Sequence, residues 1–355
     1  MKPHSGNKIK VIGVMSGTSM DGLDLAAVEF TYNNEKWNFC LTDSKTVSYS
    51  ENWFNKLNNA PNVSGEKLME LHSEYGNFIG IQINKFIKET GFEPDLIASH
   101  GHTIFHQPEK HFTLQIGNGA EIATITKTKT VADFRITDVA LGGQGAPLVP
   151  VGDKLLFSDF EYCLNLGGFA NVSFEKDKQR IAYDNCPVNF TLNHFAEKQG
   201  FPYDKNGELG RQGKLNNILL EELNSLDYYQ QKPPKSLGRE WMEDTFFPVL
   251  ESYKIPDLDK MRTIYEHVAQ QIAKICTGRD SLLITGGGAF NTFLIEQIKK
   301  HSTLNVVIPK PEIINYKEAL IFAFLGVLRI QNKINCFSSV TGASKDSSCG
   351  IIFEY

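Results

Sequence analysis

A strand, a glycine-containing bend and a second strand occur twice in the chain, and this repeated unit constrains the fold more than any other feature. The first copy is VIGVMSGTSMDGLDLAAVEF (residues 11–30), and the second is YCLNLGGFANVSF (residues 162–174). Apolar residues alternate or run unbroken on both sides of each bend, which is typical of buried hairpin strands. Helical patterns and short apolar runs follow each copy, so the sequence predicts two similar α/β halves.

The other elements follow from the same patterns. Helical spacing predicts helices over 65–90, 122–126, 187–199, 263–275, 291–301 and 316–331, and apolar runs predict strands over 94–101, 130–133, 181–184, 281–285 and 304–308. The stretch DVALGGQGAPLVP (138–150) is rich in glycine and proline and has almost no charge, so we place the domain crossover there. The predicted domains are 1–137 with roughly 333–355, and 138–332, with a ligand cleft between them.

Composition excludes several classes of function. A 355-residue chain with 41% hydrophobic residues has room for two globular cores, and a net charge of −5 gives no support to a nucleic-acid or polybasic membrane partner. The apolar runs are too short to cross a bilayer, and the N-terminus has no apolar signal core. The six cysteines form no close CxxC pair. We therefore expect reduced thiols in a cytoplasmic protein.

The first bend, residues 16–22, has the composition of an anion-binding turn. Its two glycines allow several backbone N–H groups to point at one spot, and the hydroxyls of Ser16, Thr18 and Ser19 add donors. Asp21 would repel a bare phosphate, so its presence predicts a Mg²⁺ ion between the carboxylate and phosphate oxygens. The Walker pattern is absent. An ordinary polar hairpin turn is the alternative interpretation.

Two further glycine clusters strengthen the nucleotide hypothesis. Gly167 and Gly168 form the second bend, and Gly286–Gly288 follow a buried strand. Backbone without side chains lets a flat ligand such as adenosine approach closely, although a tight strand-to-helix turn has the same composition. No GxGxxG occurs at either place, which disfavours a dinucleotide fold.

Several blocks of the sequence together resemble anhydro-N-acetylmuramic acid kinases. The blocks, which cover nearly the whole chain, are MSGTSMDGLD (15–24), ASHGHT (98–103), LQIGNGAEIA (114–123), VADFR (131–135), GGQGAPLVP (142–150), LNLGGFANV (164–172), PPKSLGRE (233–240) and GGGAFN (286–291). The resemblance implies two RNase H-like domains of the actin and hexokinase superfamily, with mixed sheets flanked by helices and ATP between the domains. It also implies a peptidoglycan-recycling enzyme with ATP and Mg²⁺ as cofactors, and a homodimer is one expectation.

The reaction that the resemblance implies joins two steps. Water opens the 1,6-anhydro ring of anhydro-N-acetylmuramic acid at C1, and O6 takes the γ-phosphate of ATP, giving N-acetylmuramic acid 6-phosphate. A base must take a proton from the attacking water, and donors or a metal must neutralise the developing charge. The nucleotide-binding residues carried over are Gly17, Thr18, Ser19, Met20, Asp21, Gly22, Leu23, Asp24, Gly167, Gly168, Gly286, Gly287, Gly288 and Asn291, with Asp21 holding Mg²⁺ directly or through water.

The catalytic base implied by the resemblance is Asp184. The family motif DTGPGN reads DNCPVN here (184–189), so the aspartate, proline and asparagine are kept and both glycines are replaced. The replacements place the loop conformation in question, but not the chemistry of the aspartate. Capping of the following helix is the alternative role for Asp184. A regulator that binds ATP without catalysis is the alternative for the whole protein.

Four residues are expected to contact the sugar. His102 stands where the family has glutamine, and Thr103 follows it; both can hydrogen-bond sugar hydroxyls. Arg135 suits the lactyl carboxylate because its guanidinium matches a carboxylate bidentately, with an ion pair between domains as the alternative. Glu318 matches a family glutamate that holds sugar hydroxyls, or it is a first-turn glutamate favoured by the helix dipole.

The histidines also admit a competing enzyme class. His100, His102 and His106 have the spacing of a zinc cluster, which would indicate a metal-dependent hydrolase. No carboxylate nearby completes a compact ligand set, so sugar contact is the favoured role.

Overall fold

The computed structural model describes residues 8–17, 20–275, 281–303 and 305–355. In chain order the strands are β1 Ile9–Ser16, β2 Leu23–Asn33, β3 Lys36–Val47, β4 Leu96–Gln107, β5 Phe112–Ile116, β6 Thr130–Ala132, β7 Tyr162–Leu166, β8 Phe169–Lys176, β9 Gln179–Pro187, β10 Ser281–Thr285, β11 Asn305–Val307 and β12 Ile351–Phe353. The helices are α1 Glu51–Asn59, α2 Gly65–Thr90, α3 Gly119–Thr126, α4 Ile136–Ala140, α5 Pro150–Leu156, α6 Asn189–Lys198, α7 Glu208–Gln212, α8 Asn217–Ser225, α9 Arg239–Trp241, α10 Phe247–Ser252, α11 Asp257–Ile275, α12 Thr292–His301, α13 Pro311–Ile330 and α14 Ser338–Thr341.

The chain divides into two compact units. The first unit is Met1–Leu156 with Tyr316–Tyr355, and the second is Phe157–Asn315. The sequence placed the boundaries after 137 and 332 instead. The place of residues 316–332 in the first unit follows from the packing of α13 on the first sheet, where a Cβ at Gly13 would overlap the Ala319 carbonyl.

The sheet of the first unit has the strand order β12-β6-β4-β1-β2-β3, with β5 paired to β4. β1, β2 and β3 form an antiparallel meander, whereas β4 is parallel to β1 and β6. Both faces are covered. Alternate residues of β1 and β2 pack with Tyr75, Ile79 and Ile83 of α2, and the ring of Phe30 lies 5.4 Å from that of Phe324 in α13. Burial on two sides accounts for the unbroken apolar runs of these strands.

The sheet of the second unit repeats this arrangement, with the order β11-β10-β7-β8-β9. Here β7, β8 and β9 form the antiparallel meander, and β10 and β11 run parallel to β7. Helices α6, α8, α11 and α12 contribute buried side chains to its core, including Phe195, Leu219, Ile264 and Leu294. The α/β class predicted from the repeated hairpins is confirmed, and so are the mixed sheets flanked by helices that the resemblance implies.

Several predicted boundaries are wrong, including the starts of α11 and α13, which lie at Asp257 and Pro311 rather than at 263 and 316. The strand expected to end in a loop at 101 continues to Gln107, because β5 pairs with its second half. The helix expected to begin at Pro187 begins at Asn189, because Pro187 still pairs with Phe169 in the sheet.

Two further expectations concern the compartment. Among the residues that the structure describes, no helix combines the length and apolar character needed to cross a membrane. The five described cysteines are free thiols, and Cys276 lies outside the described residues.

Candidate active site

The bend between β1 and β2 carries most of the predicted nucleotide residues. The backbone N–H of Met20 donates to the Gly17 carbonyl over 3.2 Å, whereas Thr18 and Ser19 lie outside the described residues. Gly22 packs against β3, and the Leu23 side chain is buried in the core. Both residues are buried, so the Leu23 side chain offers no contact to a ligand.

Two carboxylates follow this bend. Asp21 is exposed, and Asp24 is partly buried with Oδ1 accepting from the Thr46 hydroxyl at 2.6 Å. Loss of hydration raises the pKa of Asp24, the Thr46 hydrogen bond opposes this, and the negative charge of Asp21 adds to it. The two carboxylates therefore lie close enough to repel each other. A Mg²⁺ ion prefers one or two carboxylates together with phosphate oxygens, so this donor set fits the ion.

The last residue of β1 takes part in a different contact from the one predicted. Ser16 is buried, and its hydroxyl lies 2.7 Å from the Tyr49 hydroxyl and 2.8 Å from Nδ1 of His102. Ser16 and His102 are register partners of β1 and β4, which brings them together. The Ser16 hydroxyl is therefore engaged within the first unit rather than turned to the bend as a phosphate donor.

Arg135 lies just before α4 and is held by neutral acceptors. Its Nε donates to Nε2 of His100 at 2.9 Å, and Nη1 donates to the Gly145 carbonyl at 2.7 Å. His100 Nδ1 lies 3.0 Å from the Gly101 carbonyl, so that nitrogen carries the proton and Nε2 is the acceptor. No described carboxylate lies within salt-bridge distance of the guanidinium. Loss of hydration lowers the pKa of Arg135, and the negative charge of Glu318 opposes this shift.

A buried aspartate supports the loop that holds Arg135. Asp138 is fully buried, with Oδ2 accepting from the Gly145 N–H at 2.7 Å and Oδ1 accepting from the Thr341 hydroxyl at 2.8 Å and the Cys336 thiol at 3.0 Å. The Gly145 carbonyl in turn binds Arg135. Asp138 thereby fixes the turn that orients the guanidinium, a role the sequence analysis did not identify.

Glu318 lies in the interior of α13, two residues after a break in helical geometry at Tyr316. Because this break separates two helical segments, Glu318 stands in the first turn of the second segment, and the first-turn dipole role stays a prediction. Glu318 is exposed to solvent. Loss of hydration nevertheless raises the pKa of its carboxyl group, the charge of Arg135 opposes this rise, and the charge of Asp24 adds to it. Thr103 is partly buried on β4, where its hydroxyl accepts from Gln115 over 3.3 Å.

The histidines do not form a zinc site. His100 uses both ring nitrogens in hydrogen bonds, His102 uses Nδ1 with Ser16, and Nδ1 of His106 lies 3.1 Å from the Thr113 hydroxyl. Among the described residues, no group of three or more His, Cys, Asp or Glu side chains has the geometry to hold a metal ion. The arrangement counts against the metal-dependent hydrolase.

In the second unit, the Gly167-Gly168 bend is hydrogen-bonded to the start of α6. The N–H groups of Val188 and Phe190 donate to the Gly168 carbonyl at 2.9 and 3.1 Å, and the N–H of Asn189 donates to Gly167. A Cβ at Gly168 would find its nearest neighbour, the Phe190 Cβ, at 3.8 Å. The bend thus has free space beside it while its carbonyl groups are bound.

Asp184, near the end of β9, is held by donors from several elements. Asn171 Nδ2 donates to Oδ1 at 2.9 Å, and the Leu237 N–H donates to Oδ2 at 2.9 Å. The Tyr228 hydroxyl donates to the Asp184 backbone carbonyl at 2.5 Å, and the Asp184 N–H donates to the Lys235 carbonyl at 3.3 Å. Asp184 does not cap α6, whose N-cap residue, Val188, provides no side-chain hydrogen bond.

Cys186, two residues after Asp184 in the altered motif, has no visible chemical role. Cys186 is fully buried, and burial raises the pKa of its thiol, which keeps it protonated at neutral pH. It fills a glycine position, as expected from the sequence.

Three glycines end β10 beside the same bend. A Cβ at Gly286 would lie 2.7 Å from Asn165 Oδ1 and 2.8 Å from the Leu166 carbonyl, so close packing on β7 requires glycine there. Gly287 is exposed. Asn291 is engaged structurally, since Oδ1 accepts from the Leu294 N–H at 3.1 Å and Nδ2 donates to the Tyr265 hydroxyl at 2.6 Å. Its side chain caps α12.

Comparison with known proteins decides the family. Residues 9–355 match the family model described as anhydro-N-acetylmuramic acid kinase. The chain belongs to this family. Proteins named anhydro-N-acetylmuramic acid kinase from Vibrio cholerae and Mannheimia succiniciproducens are 34% and 35% identical to it, with 96% of this chain and 97% and 98% of theirs covered.

A solved structure, (R)-2-hydroxyglutaryl-CoA dehydratase component A from Acidaminococcus fermentans, covers 90% of this chain and 97% of its own at 11% identity and a TM-score of 0.44. A likeness of this size identifies no function.

In this member of the anhydro-N-acetylmuramic acid kinase family, five residues that support the predicted site residues were not identified from the sequence. They are Tyr49, Tyr75, Asp138, Asn171 and Tyr228. Asn171 lies in the LNLGGFANV block and could have been found there, and Asp138 adjoins the glycine-rich stretch. The three tyrosines carry no local signal, because their partners are distant in sequence.

Proposed function

We propose that this chain is an ATP-dependent kinase that opens the 1,6-anhydro ring of anhydro-N-acetylmuramic acid and phosphorylates O6. The observation that carries the proposal, within the family assignment, is the environment of Asp184. Both carboxylate oxygens accept one N–H donor, from Asn171 and from Leu237. Such donors fix the orientation of the carboxylate, while each oxygen keeps a second lone pair for a proton.

In the proposed reaction, Asp184 acts as the general base. The oxygen of water bonds to C1 of the sugar, the C1–O6 bond breaks, and the proton of water passes to the carboxylate of Asp184. O6 then bonds to the γ-phosphorus of ATP, and ADP leaves with the electrons of the broken P–O bond. The product is N-acetylmuramic acid 6-phosphate.

Sugar recognition is proposed for residues of the first unit. Arg135 offers a guanidinium that is bound by neutral acceptors and forms no salt bridge with a described carboxylate, which suits the lactyl carboxylate. Glu318 reaches solvent and accepts hydrogen bonds, as sugar hydroxyls require. His102 and Thr103, adjacent on β4, complete the proposed set.

Nucleotide binding is proposed for the glycine bends of both units. Asp21, with Asp24 beside it, would hold Mg²⁺, and the ion would supply positive charge against the phosphate oxygens. Gly17 and Gly22 of the first bend, and Gly167, Gly168 and Gly287 of the second unit, offer backbone without side chains. Gly286, Gly288 and Asn291 support this backbone through packing and capping.

The proposal is tested by incubating the purified protein with ATP, Mg²⁺ and anhydro-N-acetylmuramic acid and identifying the product by mass. We expect N-acetylmuramic acid 6-phosphate and ADP in equal amounts. Folded protein that binds ATP and forms no 6-phosphate would overturn the proposal in favour of a regulator. Stoichiometric zinc in the purified protein would instead favour the hydrolase.

A further inference from the structure

A histidine that the proposed mechanism does not use is buried in the core of the second unit. His267 lies on α11 and is 0% exposed. Its Nε2 lies 2.8 Å from the Tyr229 hydroxyl, and its Nδ1 lies 2.8 Å from Oδ1 of Asn224 on α8. Burial lowers the pKa of the ring to about 3, so the ring is neutral at pH 7 and carries one proton. One ring nitrogen therefore donates a hydrogen bond and the other accepts one.

A carboxylate at the far end of a side-chain network fixes the direction of these bonds. Loss of hydration raises the pKa of Glu266, but neighbouring positive charges and their hydrogen bonds lower it overall, so the carboxylate is ionised and only accepts. It accepts from Nε2 of Gln270 at 3.3 Å, and Oε1 of Gln270 accepts from Nδ2 of Asn224 at 2.9 Å. The Asn224 oxygen thus faces His267, so Nδ1 of His267 donates to it. Nε2 accepts the O–H of Tyr229.

A pair of tyrosines joins this network to Asp184. Tyr228 and Tyr229 are neighbours in the 3-10 turn at 227–230, and their hydroxyls are bound in different places. The Tyr229 hydroxyl donates to His267, whereas the Tyr228 hydroxyl donates to the backbone carbonyl of Asp184 at 2.5 Å. One turn of the chain thus bonds α11 on one side and β9 on the other.

The segment that follows this turn comes back to Asp184, and we call residues 228–237 the clamp loop. The Lys235 carbonyl accepts from the Asp184 N–H at 3.3 Å, and the Leu237 N–H donates to Oδ2 of Asp184 at 2.9 Å. The loop is also closed on itself, since Nζ of Lys235 donates to the Tyr228 carbonyl at 2.9 Å. The clamp loop therefore holds the backbone N–H, the backbone carbonyl and one carboxylate oxygen of Asp184.

We infer that Tyr229 and His267 are positioning residues for Asp184, a step that rests on the proposed role of Asp184 as the general base. Their hydrogen bond fixes the start of the clamp loop, and the clamp loop fixes the base. A general base must lie within hydrogen-bond reach of the proton that it takes, and a displacement of about 1 Å can cost about 10²-fold in rate. The buried histidine thus acts on the reaction through two tyrosines and not by contact with a ligand.

Hydrogen–deuterium exchange of the ligand-free protein tests the structural step. In Tyr229→Phe, which removes only a hydroxyl, peptides that contain Asp184 and Leu237 should exchange at least about threefold faster, because the clamp loop holds both N–H groups. The matched control is Tyr253→Phe, since the Tyr253 hydroxyl donates to the exposed Glu222 at 2.5 Å; it should leave the exchange unchanged. Unchanged exchange in Tyr229→Phe would overturn the inference, whether or not the protein is a kinase.

Steady-state kinetics tests whether the network acts through the base. Tyr229→Phe should lower kcat about tenfold and leave the KM values for ATP and for the sugar within about twofold. In the Asp184→Asn background the same substitution should change kcat less than about twofold, because no base remains to be displaced. An equal loss of kcat in both backgrounds would show a general effect on the fold and would contradict positioning of Asp184.

Conservative replacement tests the histidine itself. His267→Gln keeps an acceptor for Tyr229 and a donor for Asn224, so kcat should stay within about threefold, whereas His267→Leu lacks both groups and should lose about tenfold or more. If His267→Leu cannot be purified folded, Tyr229→Phe takes its place in this comparison. Equal kcat values in the glutamine variant and the variant that lacks the bond would overturn the inference. Absence of the 6-phosphate product with the unaltered protein would instead overturn the proposed function, and hydrogen exchange would still decide whether the network holds Asp184.

Discussion

The bends of the two sheets differ in where they place negative charge, although five strands follow the same order in both sheets. In the first unit the bend carries its own carboxylate, Asp21, with Asp24 opening the next strand. In the second unit the bend is Gly167-Gly168 alone, and the nearby carboxylate, Asp184, comes from the end of β9, two strands away from β7.

The carboxylates Asp21 and Asp184 therefore have different surroundings within the same type of fold. Asp21 is exposed and interacts with another carboxylate, which suits a cation. Asp184 receives two N–H donors and is held at its backbone by Tyr228, which suits a fixed base. In the proposed function, the bend of the first unit carries the phosphate charge and Asp184 of the second unit takes the proton.

The largest effect is expected from Asp184→Asn. An amide in place of the carboxylate cannot take the proton of water, so kcat should fall about 10²–10⁴-fold. ATP affinity and thermal stability should change little. The matched control is Asp177→Asn in the exposed β8–β9 turn, which should keep full activity. Turnover within tenfold of the unaltered enzyme would show that the base lies elsewhere.

A smaller effect is expected from Asp21→Asn. Loss of one carboxylate should raise the Mg²⁺ concentration for half-maximal activity at least about tenfold, with kcat largely recovered at saturating Mg²⁺. The measurement is a magnesium titration of the initial rate for this variant and for the control Asp43→Asn on β3. An unchanged magnesium requirement would remove Asp21 from the proposed metal site.

Gly286→Ala should act on stability. The added Cβ would meet Asn165 and Leu166 at 2.7–2.8 Å, and φ is +80°. We expect a loss of about 1–3 kcal/mol in the free energy of unfolding. Gly142→Ala isolates the backbone strain, since Gly142 has a φ of +83° and no neighbour within 4 Å of the added Cβ. Equal losses in the two variants, measured by denaturant unfolding, would show that the β7 contact contributes nothing.

The last expected effect concerns the pH dependence of stability. Because burial lowers the pKa of His102 from 6.5 to about 4, the unfolded chain binds this proton more readily between those values. The stability from neutral His102 is therefore complete above pH 6.5 and is lost as the pH falls towards 4. Relative to His102→Gln, the unaltered protein should lose up to about 1.4 kcal/mol per pH unit within this window. Parallel stability curves would contradict a buried neutral ring.

The pattern of apolar residues was enough to predict the two-half α/β fold, because both hairpins and helix α2 have strong periodicity. It failed where pairing is non-local. The extension of β4 to Gln107 depends on β5, and the strand character of Pro187 depends on its pairing with Phe169. Strand β3 has polar residues on much of its surface and lacks a buried run, so it was not predicted.

The motif residues of the candidate site could be proposed from the sequence, whereas most of the residues that hydrogen-bond them could not. Asp184 and Arg135 stand in recognisable blocks. Ser16 and His102 are far apart in sequence, and only the register of β1 against β4 brings them together. Likewise, Asn291 belongs to a glycine-rich motif, yet its position at the start of α12 makes it a cap.

The most direct test of the central claim is turnover in ¹⁸O-labelled water with ATP, Mg²⁺ and anhydro-N-acetylmuramic acid, followed by mass spectrometry of the product. If Asp184 activates water against the sugar, one ¹⁸O atom appears at C1 of N-acetylmuramic acid 6-phosphate and none in the phosphoryl group. Label in the phosphoryl group would show that water attacks phosphorus, and would contradict the account.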